Sequence, residues 1–349
     1  MSQYTHLSND PGPIVADLRS DTVTKPCAAM RKVMAEAEVG DDVYGEDPVV
    51  NQLERTLAER LGKEAGLYVS SGTQSNLLGM LAHCGRGDEV IAGESYHVIR
   101  YEAAGASVLG GVALHALPVA GDGGLEPDAI RAAVKEDDSH HPVSRLLSLE
   151  NTNYGRAVPL ARIAAAVEAG RAAGLSTHLD GARFFNAVTA LGCTERDLAD
   201  PFDTVSVCLS KGLGAPVGSV LLGPADLIAK ARRLRKMVGG GMRQAGIIAA
   251  AGLFALENNV TRLAEDHQRA EALAAHLHAL GLGEVRQATN MVFLTPAQGV
   301  NLGALAASGI ALSAPAPASR MVLHRNIDDA AFAHVLEAFE RLAERRGAA

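Results

Sequence analysis

The chain has 349 residues, 48% hydrophobic and 21% charged, an ordinary globular composition long enough for two domains, or one large and one small. Its net charge of −8 argues against nucleic acid as the main partner, because a phosphate-binding surface needs clustered Lys and Arg. The four cysteines, Cys27, Cys84, Cys193 and Cys208, form no CxxC pair and no zinc spacing, so reduced thiols and no metal site are expected.

In chain order, residues 1–14 read as a loose tail broken by Asn9, Asp10, Pro11, Gly12 and Pro13, polar and without the apolar region of a secretory signal. Short β-type runs then alternate with Ala-rich helical runs. Strands are expected at 67–70, 89–92, 112–118, 145–149, 175–179, 204–209 and 219–222, and helices at 73–83, 97–104 and 160–173, the last stopped by Gly174. This alternation predicts an α/β domain with a mostly parallel sheet. The pattern changes after about 225, with a basic helix at 225–237, an apolar helix at 244–257 and a long helix at 261–280 carrying Leu263, Ala270, Leu273 and Leu277. Strands at 291–294 and 321–324 and a closing helix at 328–345 suggest a smaller α+β domain. The expected division is a tail at 1–14, a large domain at 15–250 and a small one at 251–349. The longest apolar stretch, 245–256, is well short of a membrane span, so a cytoplasmic protein without a membrane partner is expected.

Lys211 ends an apolar strand and precedes two glycines, at the lip of a parallel sheet where α/β proteins bind ligands. A lysine that binds a carbonyl cofactor covalently needs such a place, where burial lowers its pKa and glycine lets the cofactor approach. An exposed lysine in a glycine-rich turn is the plain alternative, and taken by itself the stronger one. Asp180, about thirty residues upstream, also ends a strand. A carboxylate there can keep a pyridine nitrogen protonated, and strand-end Asp before strand-end Lys is the order expected for pyridoxal phosphate. Its alternative is a helix cap.

Gly72 and Thr73 open a helix after a strand, where backbone N–H groups suit a phosphate, although an ordinary capped helix reads the same. No GxGxxG and no P-loop is present there, against a dinucleotide or ATP. His97 sits in a strand-to-helix turn and can stack on a pyridine ring or cap a helix. His140 and His141 stand in an acidic loop. One could be a general base, although a solvated loop is favoured from spacing. Arg183, three residues after Asp180, and Arg320 each suit a carboxylate or a structural ion pair. The basic run 232–236 reads as a solvated helix face, and the glycine run 239–241 as a flexible joint or a phosphate- or interface-facing loop.

The stretches DLRSDTVTKP (17–26), VGDDVYGEDP (39–48), SGTQSNL (71–77), LLSLEN (146–151), HLDGARFFNA (178–187), SVCLSKGLGAPVGS (206–219) and KMVGGGMRQAG (236–246) together resemble the L-threonine aldolases, in the β-eliminating lyase group of fold-type-I pyridoxal-phosphate enzymes. The resemblance implies a large domain with a mostly parallel seven-stranded sheet, a smaller C-terminal domain and retro-aldol cleavage of a β-hydroxy-α-amino acid to glycine and an aldehyde. It implies that Lys211 bonds pyridoxal 5'-phosphate, that Asp180 faces its ring nitrogen, that His97 stacks on it and that Gly72 and Thr73 hold its phosphate. Ser20, Arg183 and Arg320 are implied for the substrate carboxylate and His140 for its hydroxyl. Lys236 and Arg243 are similar to residues that reach a neighbouring subunit's site. A homotetramer, a dimer of dimers with sites at the dimer interface, is implied as well. Other pyridoxal-phosphate reactions, a non-catalytic scaffold and an NAD enzyme are the rival readings.

Overall fold

A computed structural model describes residues 13–313 and 318–347, so the expected N-terminal tail lies outside the described residues but for its last two. The strands in chain order are β1 Ala16–Asp17, β2 Ala65–Val69, β3 Asp88–Gly93, β4 Ala113–Leu117, β5 Val143–Glu150 and β6 Ser176–Gly181. They continue with β7 Thr204–Cys208, β8 Ser219–Gly223, β9 Gly283–Ala288, β10 Met291–Pro296, β11 Ile310–Ala311 and β12 Ser319–Val322.

The chain divides into two compact units: Pro26–Val260, and the described residues up to Lys25 together with those from Thr261 onward. The division therefore falls beyond the boundary expected near 250, and the segment after the tail belongs with the C-terminal unit. Backbone pairing is the reason. Strand β1 runs parallel to β11, with Ala16 opposite Ile310, and Val322 N–H donates to Leu18 O at 2.9 Å.

In the larger unit the sheet order is β2-β8-β7-β6-β5-β3-β4. Strands β4, β3, β5, β6 and β7 are parallel, while β8 is antiparallel to both neighbours. The seven-stranded, mostly parallel sheet implied by the resemblance is thus present. Every residue of β7 and β8 is buried, which suits the apolar run in SVLLG; TVSVC alternates, and its Thr204 and Ser206 are polar groups buried on one face. The helix Leu160–Ala172 ends as expected. Gly174 takes φ 81°, and Leu175 N–H reaches back to Gly170 O at 2.9 Å.

Of the expected helix at 97–104 only His97–Arg100 is helical; Ala103 and Ala104 take φ 51° and 55°, and a further helix, Gly105–Gly110, begins after them. Helices Ala28–Ala35 and Pro48–Leu61 lie ahead of the first predicted element. The second has plain local signals: Asp47 accepts from Val49 and Val50 N–H, Pro48 occupies the first turn, and Gly62 stops the helix at φ 68°.

The smaller unit holds an antiparallel sheet of order β12-β10-β9 and the helices Leu263–Ala279 and Asp329–Gly347. Its core joins Leu18, Leu273, Leu277, Val292, Met321 and Phe339, and the predicted set Leu263, Ala270, Leu273 and Leu277 is wholly buried. No helix among the described residues is long and apolar enough to cross a membrane.

The basic run 232–236 is a solvated face only in part: Arg233 and Lys236 are exposed, but Arg232 and Arg235 turn inward. Arg235 is 3% exposed and donates to Asp42 Oδ2 at 2.6 Å and to Tyr68 O at 2.7 Å. Arg232 donates to Glu54 Oε2 at 2.7 Å, and Glu54 also accepts from Tyr68 N–H. This explains VGDDVYGEDP: Asp42 neutralises a buried guanidinium, and Asp47 ties a helix start to Gly40 and Gly246 N–H. Removing one partner of a buried pair strands the other charge, so Asp42→Ala should lower unfolding free energy by about 3–5 kcal/mol. Denaturant titration checks this against Arg131→Ala, an exposed pair on the Pro127–Ala133 helix, which should change little.

Candidate active site

Strand β4 lies outside β3, and β5 returns on the other side of β3. The direction of travel across the sheet reverses there, and open α/β sheets leave a ligand crevice at the strand carboxyl ends beside such a reversal. The ends of β5, β6 and β7 form a rung in register, Glu150 opposite Asp180 opposite Ser206. In-register neighbours share a face, so these side chains point the same way.

Asp180 is 2% exposed. Its Oδ1 accepts from Ala182 N–H at 2.9 Å and its Oδ2 from Asn76 Nδ2 at 2.9 Å. The same Asn76 nitrogen donates to Glu102 Oε1 at 2.8 Å, and Glu102 Oε1 meets His97 Nδ1 at 2.7 Å. His97 is also held by its backbone, whose N–H donates to Glu150 Oε2 at 2.6 Å, while Asn153 Nδ2 donates to Glu150 Oε1 at 2.9 Å. The His97 ring thus has a fixed edge, yet its side chain is 38% exposed, which leaves a face open.

Three carboxylates, Asp180, Glu102 and Glu150, stand together here, and the pKa values of the two glutamates respond. Burial and the Asp180 charge push Glu150 up to about 7 and raise Glu102. Burial opposes charge on His97, but the Glu102 hydrogen bond and the Asp180 charge outweigh it and raise its pKa.

Lys211 follows β7 by three residues, half-buried, in a turn closed by Gly214 N–H to Lys211 O at 2.8 Å. Arg183 stands half-buried at the start of the helix Phe184–Leu191. Gly72 and Thr73 occupy the first turn of a 12-residue helix capped by Ser71, where N–H groups lack intrahelical acceptors. Beside them Ser219 Oγ is buried without a partner, 3.7 Å from where a Cβ on Gly72 would stand. The glycine run lies against this helix start, since a Cβ on Gly240 would come within 2.1 Å of Gln74 Nε2. Lys236 is in the last turn of the helix Ala225–Met237, and Arg243, 57% exposed, pairs with Asp41 at 2.9 Å.

In the smaller unit, Ser20 caps the turn Asp21–Val23 by accepting from Thr22 N–H at 3.3 Å. Arg320, on β12, donates to Arg19 O at 3.3 Å, which brings it to the residue beside Ser20. His140 does not join the Asp180 group within the chain. It is 87% exposed, bonds Asp138 at 2.6 Å and precedes the amino end of β5, whose other end carries Glu150. Eight residues of strand span about 26 Å, so His140 and Glu150 lie at opposite edges of the sheet.

Sequence reasoning singled out neither Asn76, Glu102, Glu150 nor Asn153. Asn76 and Glu150 stand inside the quoted SGTQSNL and LLSLEN stretches, but only strand register shows what they hold.

The residues present fit a phosphorylated pyridine. A buried, doubly bonded carboxylate can face a ring nitrogen, the His97 face can stack, and the open N–H groups with the unpartnered Ser219 hydroxyl can take a phosphate. A sheet that gathers such groups at its carboxyl ends belongs to the fold-type-I pyridoxal-phosphate enzymes. The beta-eliminating lyase family matches residues 17–298, and the chain belongs to that family. It is 46% identical over 321 residues to a low specificity L-threonine aldolase of Escherichia coli (strain K12), covering 91% of this chain and 96% of that one. The solved Leishmania major threonine aldolase matches with TM-score 0.81 at 21% identity, over 94% of this chain and 99% of that one. An SPT solved with PLP matches with TM-score 0.69 at 17% identity, over 95% and 88%.

The Glu150 shift sets a pH dependence. A carboxyl raised from 4.5 to about 7 on folding contributes stability that is full below the unfolded value and lost as pH rises through the folded one. Wild-type stability should therefore fall more steeply between about pH 4.5 and 7 than that of Glu150→Gln. Urea titrations across that window check it, and parallel curves would remove Glu150 as the source.

Proposed function

We propose that this chain cleaves β-hydroxy-α-amino acids, L-threonine or L-allo-threonine among them, to glycine and an aldehyde, with pyridoxal 5'-phosphate as cofactor. The observation that carries the reading is the near full-length similarity to a low specificity L-threonine aldolase, joined to a strand-end Asp180 whose carboxylate is pinned by two donors. The cofactor, when bound, supplies a protonated ring that takes up the electron pair left at Cα.

The protein's residues do the rest. Lys211 offers its amine as the attachment point at the end of β7. Asp180 would face the ring nitrogen, its two carboxylate oxygens fixed in orientation by Asn76 and the backbone of Ala182. His97 stacks on the ring with its edge fixed by Glu102. Gly72, Thr73 and Ser219 take the phosphate. Ser20, Arg183 and Arg320 are the residues proposed for the α-carboxylate, and holding the reacting bond in one orientation would supply part of the rate. The β-hydroxyl proton passes to a base. His140 carries that role only at the site of a neighbouring copy, given its place at the far edge of the sheet.

A homotetramer with shared sites, placed in the cytoplasm, fits this reading. Tyr44, Met237 and Ile247 are 76%, 66% and 48% exposed, large apolar groups that a second copy would cover, and Lys236 and Arg243 flank them. The four cysteines are free, as in a reducing compartment. Tyr44→Asp should shift the measured mass in solution toward smaller assemblies. An unchanged mass would move the interface elsewhere.

The deciding assay is aldehyde release from purified, cofactor-loaded protein with L-threonine and L-allo-threonine in turn. Aldehyde with glycine is expected, and Lys211→Ala should abolish it. Pyruvate, racemised substrate or an oxo acid without aldehyde would move the function to another reaction of the same cofactor.

A further inference from the structure

Behind Asp180 runs a second line of polar groups that the reaction does not touch. Strand β6 carries His178 two residues before Asp180, on the same face, and His178 is fully buried. Its Nε2 meets Asn76 Oδ1 at 3.2 Å and its Nδ1 meets Thr204 Oγ1 at 2.9 Å. Thr204 lies directly opposite on β7, and its hydroxyl also meets His83 Nε2 at 2.9 Å. Asn76, Gly79 and His83 follow one another along one face of the helix Gly72–His83. Gly79 is the position over the His178 ring, where a Cβ would stand 2.8 Å from Cε1. The helix can approach the strand here only because that side chain is missing.

The chemistry fixes which way each proton points. Asn76 Nδ2 faces two carboxylates, Glu102 and Asp180, so its amide oxygen must face His178. That oxygen accepts only, so His178 carries its proton on Nε2. Burial pushes both His178 and His83 down to about 4, so both rings are neutral at neutral pH. A neutral His178 protonated on Nε2 must accept at Nδ1, so the Thr204 hydroxyl donates to it and in turn accepts from His83 Nε2–H. Every donor in the chain His83, Thr204, His178, Asn76 points toward Asp180.

We infer that His178 is a positioning residue: through Asn76 it aims an unbroken line of donors at the Asp180 carboxylate, fixing its orientation and holding it charged. The inference rests on Asp180 being the ring-nitrogen partner proposed above. The line ends in an amide rather than an acid, so it stabilises the anion without offering it a proton. Aligned donors in a low-dielectric interior polarise one another, and each strengthens the next.

Two measurements test this. The first is nitrogen NMR of ¹⁵N-histidine-labelled, cofactor-free protein, with His178 assigned by its loss in His178→Gln. The expected state is a neutral ring protonated on Nε2 throughout neutral pH; a ring that titrates there, or one protonated on Nδ1, overturns the relay. The second compares holoenzyme variants. His178→Leu should lower kcat by about three- to tenfold, the rate equivalent of a neutral hydrogen bond, with KM within about twofold. His178→Gln places an amide N–H where Nε2 stood and should recover most of that loss. Equal loss in both variants, or unchanged kcat in His178→Leu while Asp180→Asn is inactive, overturns the inference. Full turnover in Asp180→Asn removes the role of Asp180 itself and the relay's part in turnover with it, a failure told apart by that variant alone. If His178→Leu does not fold, Thr204→Val, which keeps the shape and loses the hydroxyl, carries the same expectation of lower kcat at constant KM.

Discussion

Asp180 is a buried carboxylate at a strand end, and the hydrogen bonds that hold it draw on a helix and the following turn. Two other acids, Glu102 and Glu150, stand beside it, and burial together with the Asp180 charge raises both. The side chain that holds it is a neutral donor rather than a cation. Asn76 reaches both Asp180 and Glu102 from one nitrogen, and the backbone of Ala182 supplies a second donor to Asp180. A lysine or arginine in that place would satisfy the carboxylate and compete for it. An amide satisfies it and leaves its outward face for a ligand.

This arrangement follows from two periodicities meeting. Strand residues two apart share a face, which puts His178 behind Asp180 on β6 and Thr204 behind Ser206 on β7. The helix Gly72–His83 lies across these strands and contributes Asn76 and His83 to the same row. Its first turn, at Gly72 and Thr73, then falls beside Ser219 on β8. One helix therefore offers open N–H groups at its start and a carboxylate donor one turn further on. Elsewhere in the unit the buried Arg235–Asp42 pair ties the helix Ala225–Met237 to the turn at Asp42–Tyr44.

Much of this was legible in the sequence. The positions of Lys211, Asp180 and Gly72 at strand ends and a helix start could be read, because apolar runs that stop at glycine or a capping residue are local signals. The helix at 160–173 and the buried row of Leu263, Ala270, Leu273 and Leu277 could be read from period and punctuation. Arg235 misled, because a basic run is ordinarily solvated and only the fold reveals Asp42 beneath it. For His140 the resemblance says nothing about which end of the sheet its loop occupies, and that loop enters β5 at the end away from Glu150. The split at Ala103 and Ala104 gave no warning, since alanine is the best of helix formers and rarely takes positive φ.

The sequence by itself determined the class of chemistry through the seven stretches that together resemble one family, since Lys211, Asp180 and Gly72 taken singly each keep a plain structural reading. Only the tertiary structure decided what holds those groups in their working states. Asn76, Glu102, Glu150, His178 and Thr204 come from a helix, a turn and three strands, and their roles exist only once strand register sets them opposite one another. It also decided that the segment carrying Ser20 and Arg19 packs with the C-terminal unit, where Arg320 is. Hydrogen bonds between strands far apart in the chain carry that information, and no local pattern of residues records it.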